Sequence, residues 1–260
     1  MNGLQLIVNQ YQPNLIPKNK IEIYSFFDPF CKDCWHQNAV LRKLQIEYHQ
    51  YVEIKHILLP SLKVLTKCQA QSSSLEDNIA LAYKAAEMQG RKKASRFLRF
   101  IQNEIMPKQD IITKELVMHC AKKAKLDVDM FLQDIKSPHV TQAIKCDQHI
   151  ANEMDITITP TLVFFNEHIE DEGLKVEGVQ PYHIYTYIVN ELMDIPVEKD
   201  LPPNLECYIT EHEMVSELEL EVIYEWPRNI LLNELNKLKI RNIIEKVHYE
   251  HDLFWKKKVI

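Results

Sequence analysis

The sequence predicts an α/β domain with a helical insertion, followed by a small C-terminal α+β unit. Three observations carry this. The apolar patterns run in the order strand, helix, strand, helical block, strand, strand, helix. The apolar spacing switches from the strand period to the helical period at about Leu75 and back after Asp155. A proline-rich, charged segment, "IPVEKDLPPN", then sets off the C-terminal residues. The expected division is a first domain over 1–195 with its helical insertion at about 75–155, a linker at about 196–205, and a small domain over 206–260.

"KIEIYSFFD" alternates and then turns continuously apolar, which predicts a buried strand from Lys20 to Phe27. Asp28 is placed to cap a helix and Pro29 to be its first residue, with the helix running to about Gln50. "YVEIKHILLP" is rich in β-branched residues and predicts a second strand that stops before Pro60. A polar loop, "KCQAQSSS", comes next.

From Leu75 on, Ala94, Phe97, Leu98, Ile101 and Ile105 share one helix face, and simple core packing accounts for that stripe better than a cofactor box. Ser74 with Asp77, Thr113, and Ser137 with Pro138 are capping signals that divide the block into four or five helices. "ITITPTLVFFN" predicts a strand with a proline at its entrance, then come a turn near "NEHIEDEG", a strand "LKVEGV" and a helix "PYHIYTYIVNELM".

Beyond the linker, "EHEMVSELELEVIYEW" reads as one helical stretch. "PRNILLNELNKL" reads as a second helix with Pro227 in its first turn, and "NIIEKVHY" and "LFWKKKV" as strands. This order is winged-helix-like. Residues 196–260 nevertheless hold nine Lys or Arg against thirteen Asp or Glu, and the helix that would read bases carries Glu234. A protein-binding use fits that charge better than DNA.

Composition excludes several function classes. A net charge of −6, from 31 basic and 37 acidic residues, offers no footprint for nucleic acid or an anionic membrane. The first twenty residues have no basic leader and no stretch has the length of a membrane span, so the expected location is the cytoplasm. Four glycines, none clustered, leave nothing to cradle a phosphate as Rossmann and P-loop motifs do. The six cysteines give no dense disulfide framework, and the expected resting state is reduced.

Chemistry concentrates in "FFDPFCKDCWHQ". A cysteine at a helix N-terminus has its thiolate stabilised by unsatisfied amides and the positive end of the helix dipole, and Cys31 is placed that way. Cys34, one turn on, could resolve a mixed disulfide. Within the pair Lys32 favours a thiolate and Asp33 opposes it, so the intervening residues give no clear depression of the cysteine pKa. Zinc is a weaker reading: Cys146 and His149 share a helix face and could join Cys31 and Cys34 as four ligands, although a part-buried Cys beside a surface His is the commoner arrangement. Cys68, Cys120 and Cys207 read as packing residues or bystanders. The eleven histidines are scattered, and no catalytic triad is local enough to name.

The pair comes directly after a strand, opens a helix, and is matched far downstream by Thr159-Pro160 ahead of another strand. Over about Lys20 to Met193 this resembles a thioredoxin fold with a DsbA-like helical insertion, which implies that Pro160 follows a cis bond and lies against the cysteines. "IEIYSFFDPFCKDCW", "LLPSLKVLT", "TPTLVFFN" and the terminal "YEWP", "LNELNKL" and "FWKKK" together resemble the SpxH (YjbH) adaptor family across nearly the whole chain. That resemblance implies an adaptor that binds the transcription regulator Spx and promotes its degradation by the ClpXP protease, with no reaction of its own; no cofactor is expected beyond the zinc reading above. Some members hold a His- and Cys-rich N-terminus; residues 1–30 here contain neither, so zinc binding through that segment does not carry over. The competing reading is a cytosolic thiol-disulfide oxidoreductase that attacks with Cys31 and resolves with Cys34. Separate modules joined by a linker further lead to the expectation that residues 1–195 fold alone but deliver a partner poorly.

Overall fold

A computed structural model of the chain describes residues 20–60, 78–108, 112–166, 173–193, 196–212, 214–249 and 252–258. β1 (Ile21–Phe27) and β2 (Val52–Leu58) pair in parallel, with Ile21 opposite Val52 and Phe27 opposite Leu58. A parallel pair needs a long crossover, and α1 (Lys32–Glu47) supplies it. β3 (Thr161–Phe165) runs antiparallel on the other edge of β1, and β4 (Leu174–Glu177) antiparallel beyond it, in the order β2-β1-β3-β4. β1 is thus a central strand, which explains why Ser25, Phe26 and Phe27 are all buried. β4 is an edge strand and is largely exposed. The arrangement is the one that the thioredoxin resemblance implies.

Between β2 and β3 lie α2 (Ile79–Met88), α3 (Arg91–Lys108), α4 (Lys114–Lys123), α5 (Val128–Ile135) and α6 (Pro138–Glu153). Thr113, Asp127 and Ser137 each accept a hydrogen bond from the amide three residues on, the geometry that stops a chain fraying at a helix start. Asn78 caps α2 by accepting from the amides of Ala80 and Leu81. The Ser74–Asp77 signal lies outside the described residues, as do the loop 67–74, Cys68 and most of the turn at 166–173. The stripe Ala94, Phe97, Leu98, Ile101 and Ile105 is buried in one apolar core with Phe27, Leu58 and Cys34, so the cysteine motif rests on the helical block. The buried carboxylate of Asp147 ties the same place, accepting from the Leu58 amide at 2.7 Å and pairing with Lys84 at 2.6 Å.

After α7 (Tyr182–Leu192) the chain turns along the C-terminal end of α1. Val197 packs on the core that holds Val40 and Tyr185, the Glu198 amide donates to Tyr51 Oη, and the Asp200 amide donates to the Glu47 carbonyl at 2.8 Å. The linker composition is therefore laid against the first domain rather than spanning open solvent.

The C-terminal unit comprises α8 (Leu205–His212), β5 (Met214–Ser216), α9 (Glu217–Tyr224), α10 (Arg228–Ile240), β6 (Ile244–Tyr249) and β7 (Asp252–Lys257). Its antiparallel sheet has the order β5-β7-β6. The stretch Glu211–Trp226, expected as one helix, is broken: Met214–Ser216 pair with β7, and Ser216 Oγ accepts from the Glu219 amide at 3.1 Å to start a new helix. Pro227 stands one position ahead of the first turn of α10, as its N-cap.

Candidate functional site

The cysteine pair departs from the expected cap. Asp28 accepts from the Phe30 amide at 2.8 Å and the Cys31 amide donates to the Asp28 carbonyl, so Asp28 to Cys31 form a turn. This turn delays the helix, and Cys31 rather than Asp28 is the N-cap, with Pro29 outside the helix. The Cys31 sulfur takes the place of a capping oxygen and accepts from the Cys34 amide at 3.3 Å.

That geometry depresses the Cys31 pKa where Lys32 and Asp33 give no net help. The Cys34 thiol, against the opposing effect of burial, and the backbone amides of Cys34 and Asp33 bring Cys31 down to about 6. Interaction with Cys31, followed by burial, pushes the Cys34 thiol upward, so Cys34 stays protonated. Cys31 is partly exposed and Cys34 buried. A thiolate at Cys31 can attack a substrate disulfide, form a mixed disulfide and release one substrate thiolate; Cys34 can then displace the second sulfur.

The opposite wall is the Thr159–Pro160 loop, whose peptide bond is cis. The Cys31 thiol lies 3.7 Å from the Thr159 carbonyl, across 128 residues of sequence. Thr161 Oγ1 donates to the Ile158 carbonyl, and the amide of Gly178, at a φ of +69° that suits glycine, donates to the Pro160 carbonyl. The thioredoxin resemblance implied that Pro160 lies against Cys31 and Cys34, and the Cys31 thiol does rest on the carbonyl of the residue that precedes this cis-proline.

The four zinc candidates are not brought together. Cys146 is exposed on α6 and accepts from Gln142, while His149 on the same helix pairs with Glu153 at 3.2 Å. Among the described residues no three His, Cys, Asp or Glu side chains gather as metal ligands. Cys120 is buried in the helical core and Cys207 is exposed.

The residue after the pair points to a second feature. Trp35 donates to Asn103 Oδ1 at 3.1 Å and, with Met214 and Phe254, forms an apolar joint between α1 and the C-terminal sheet. Beside it Glu219 is buried and joins three elements: Arg42 of α1 at 2.8 Å, Arg99 of α3 at 3.1 Å, and the hydroxyl of Tyr208 on α8. Burial alone would raise this carboxyl, but the Arg42 and Arg99 charges and the Tyr208 hydrogen bond override it and bring Glu219 down to about 2. Arg99 also donates to the Met214 carbonyl. Lys43, buried on α1, pairs with Glu225 at the end of α9. The second unit is thus bolted to the helix that carries the cysteines. The one sequence signal nearby is "SELE", a Ser followed three residues later by Glu, which marks a helix start but says nothing of the partners of Glu219.

A thioredoxin family model matches residues 24–187. A ClpXP adapter protein SpxH of Staphylococcus aureus strain MRSA252 is 58% identical over 246 residues, covering 95% of this chain and 92% of the relative. A second S. aureus protein of that name is 57% identical and covers 95% and 94%. Among solved structures, alpha-DsbA1 of Wolbachia pipientis superposes with a TM-score of 0.53 at 19% identity, covering 68% of this chain and 87% of its own. The thiol-disulfide exchange protein alpha-DsbA2 of the same organism gives 0.52 at 16% identity, covering 68% and 83%. At those identities the structural likeness speaks for the fold alone.

Proposed function

Because this chain belongs to the SpxH family of thioredoxin-like proteins, we propose that it is an adapter that binds the transcription regulator Spx and delivers it to the ClpXP protease, catalysing no reaction itself. The observation that carries this reading is extent. The identity of 57–58% with proteins named ClpXP adapter runs over 95% of the chain, so it takes in the C-terminal unit. The DsbA-type structures cover 68%, and Cys31, Cys34 and Pro160 all lie in the first domain. A terminal unit held on α1 beside Trp35 supports delivery by a composite surface, since binding across two units can greatly exceed either alone. We read that unit as winged-helix-like and as protein-binding, in keeping with its acidic balance. The place of action on this reading is the cytoplasm. Among the described residues no helix is long and apolar enough to cross a membrane.

Isothermal titration of purified Spx with the full chain tests the reading. A saturable heat with one defined stoichiometry is expected; no binding at about 100 µM of each protein would sink it.

The depressed pKa of Cys31 favours one second reading, a thiol-disulfide oxidoreductase. Insulin reduction with dithiothreitol as the reductant separates the two. The adapter reading expects the chain to turn over no faster than its Cys31→Ala/Cys34→Ala variant.

A further inference from the structure

β4 is the outer strand of the first sheet, and among the described residues no strand pairs with its far side. The Gly178 amide donates to the Pro160 carbonyl at 2.8 Å, and hydrogen-bonded pairs alternate along an antiparallel ladder whose register sets Val176 opposite Leu162 and Leu174 opposite Phe164. Val176 and Leu174 therefore bond to β3, while Lys175 and Glu177 turn their N–H and C=O groups to the open edge. The Glu177 carbonyl agrees with this, since it accepts from the side-chain amide of Gln180 at 2.9 Å in an exposed bond. That side chain can swing aside, and the carbonyl has a second lone pair.

The side chains alternate along the same strand. Val176 packs on the core that holds Tyr185 and Ile188 of α7, so Leu174 shares its face and Lys175 and Glu177 stand together on the other. Leu174 is 42% exposed. Lys175 and Glu177 are exposed, and among the described residues neither has an ion-pair partner; the Lys175 ammonium reaches the Asp155 carbonyl at 3.0 Å. A lysine on an open edge deters strand pairing, because an incoming strand must answer its charge. β4 carries that answer itself, two residues on.

We propose that β4 docks a second copy of this chain, the two strands running antiparallel about a twofold axis at Val176. In that register Lys175 of each copy stands opposite Glu177 of the other. These are the residues whose backbone groups face outward, so each pair exchanges both of its N–H to C=O bonds and sets an ammonium against a carboxylate. A slip of one residue misaligns the backbone groups, and a slip of two sets Lys175 against Lys175 or Glu177 against Glu177, so backbone and charge select the same register. On the other face Val176 meets its own copy, and Leu174 lies over Gly178 of the second copy, where an added Cβ would meet nothing within 4 Å. The exposed leucine is covered, and two four-stranded sheets become one. Neither the cysteine pair nor the C-terminal unit takes part, so the pairing stands apart from the adapter reading.

Sedimentation velocity of the full chain from about 5 µM to about 500 µM tests this, because strands this short bury less than a standard interface and the dimer is weak. A reversible monomer–dimer equilibrium with its midpoint inside that range is expected. Lys175→Glu and Glu177→Lys, both at exposed positions, should each weaken it at least tenfold by setting like charges opposite each other. Lys175→Glu/Glu177→Lys restores the opposition in reverse and should dimerise within threefold of the parent. The proposal is overturned if the chain stays monomeric throughout the range, if the single reversals leave a dimer intact, or if the folded double variant fails to recover it.

Discussion

The indole of Trp35 and the phenyl ring of Phe254 stack with 6.3 Å between centroids and 28° between planes, joining the helix of the cysteine pair to the last strand of the second unit. Both are buried. The two units therefore share a core at this point, and their stabilities should be coupled.

Phe254→Ala removes that contact and leaves a cavity, at a cost of about 3–5 kcal/mol. We expect the parent to unfold in urea in one transition, with exposure of the Cys34 thiol coinciding with the loss of circular dichroism. The variant should lower both midpoints together. A variant in which the circular dichroism midpoint falls while that of Cys34 exposure stays in place would show that the joint transmits nothing.

Glu219→Gln leaves Arg42 and Arg99 in a buried site without their countercharge, which costs about 3–5 kcal/mol at pH 7. The sign with pH comes from the folded-state value near 2, below that of an ordinary carboxylate. The stabilisation is complete above about pH 4.5 and is lost as pH falls toward 2. The stability gap between parent and variant, measured by denaturation across this range, should therefore close on acidification. A constant gap would remove the ion pairs from the account.

Reduced Cys31 should be alkylated by iodoacetamide with a half-maximal rate near pH 6, while Cys34 resists, as peptide mass spectrometry would report. Cys34→Ala should raise the Cys31 midpoint, because the Cys34 thiol is the largest cause of its depression. A midpoint at 8–9 in the parent would show that the helix start does not hold a thiolate.

What the sequence revealed and hid divides along physical lines. β1, β2 and the helical block were legible because period and caps are local, and Cys31 and Cys34 because a strand leads straight into the motif, whereas Pro160 was legible only through the resemblance to the thioredoxin fold. The turn from Asp28 to Cys31 was hidden because Asp-Pro serves equally to cap a helix or to open a turn. Met214–Ser216 were hidden within the Glu-rich, helix-favouring stretch 211–226, because their strand character comes from pairing with β7. The Glu219 network was out of reach, since Arg42 and Arg99 lie 177 and 120 residues away and only the fold brings them together.

The adapter claim is tested most directly by tracking purified Spx during ClpXP degradation, with no addition, with the full chain, and with Cys31→Ala/Cys34→Ala. An adapter that works by surface should speed degradation at least tenfold, and the folded double variant should match it within twofold. No acceleration by the full chain, or its loss in the folded double variant, would contradict the account.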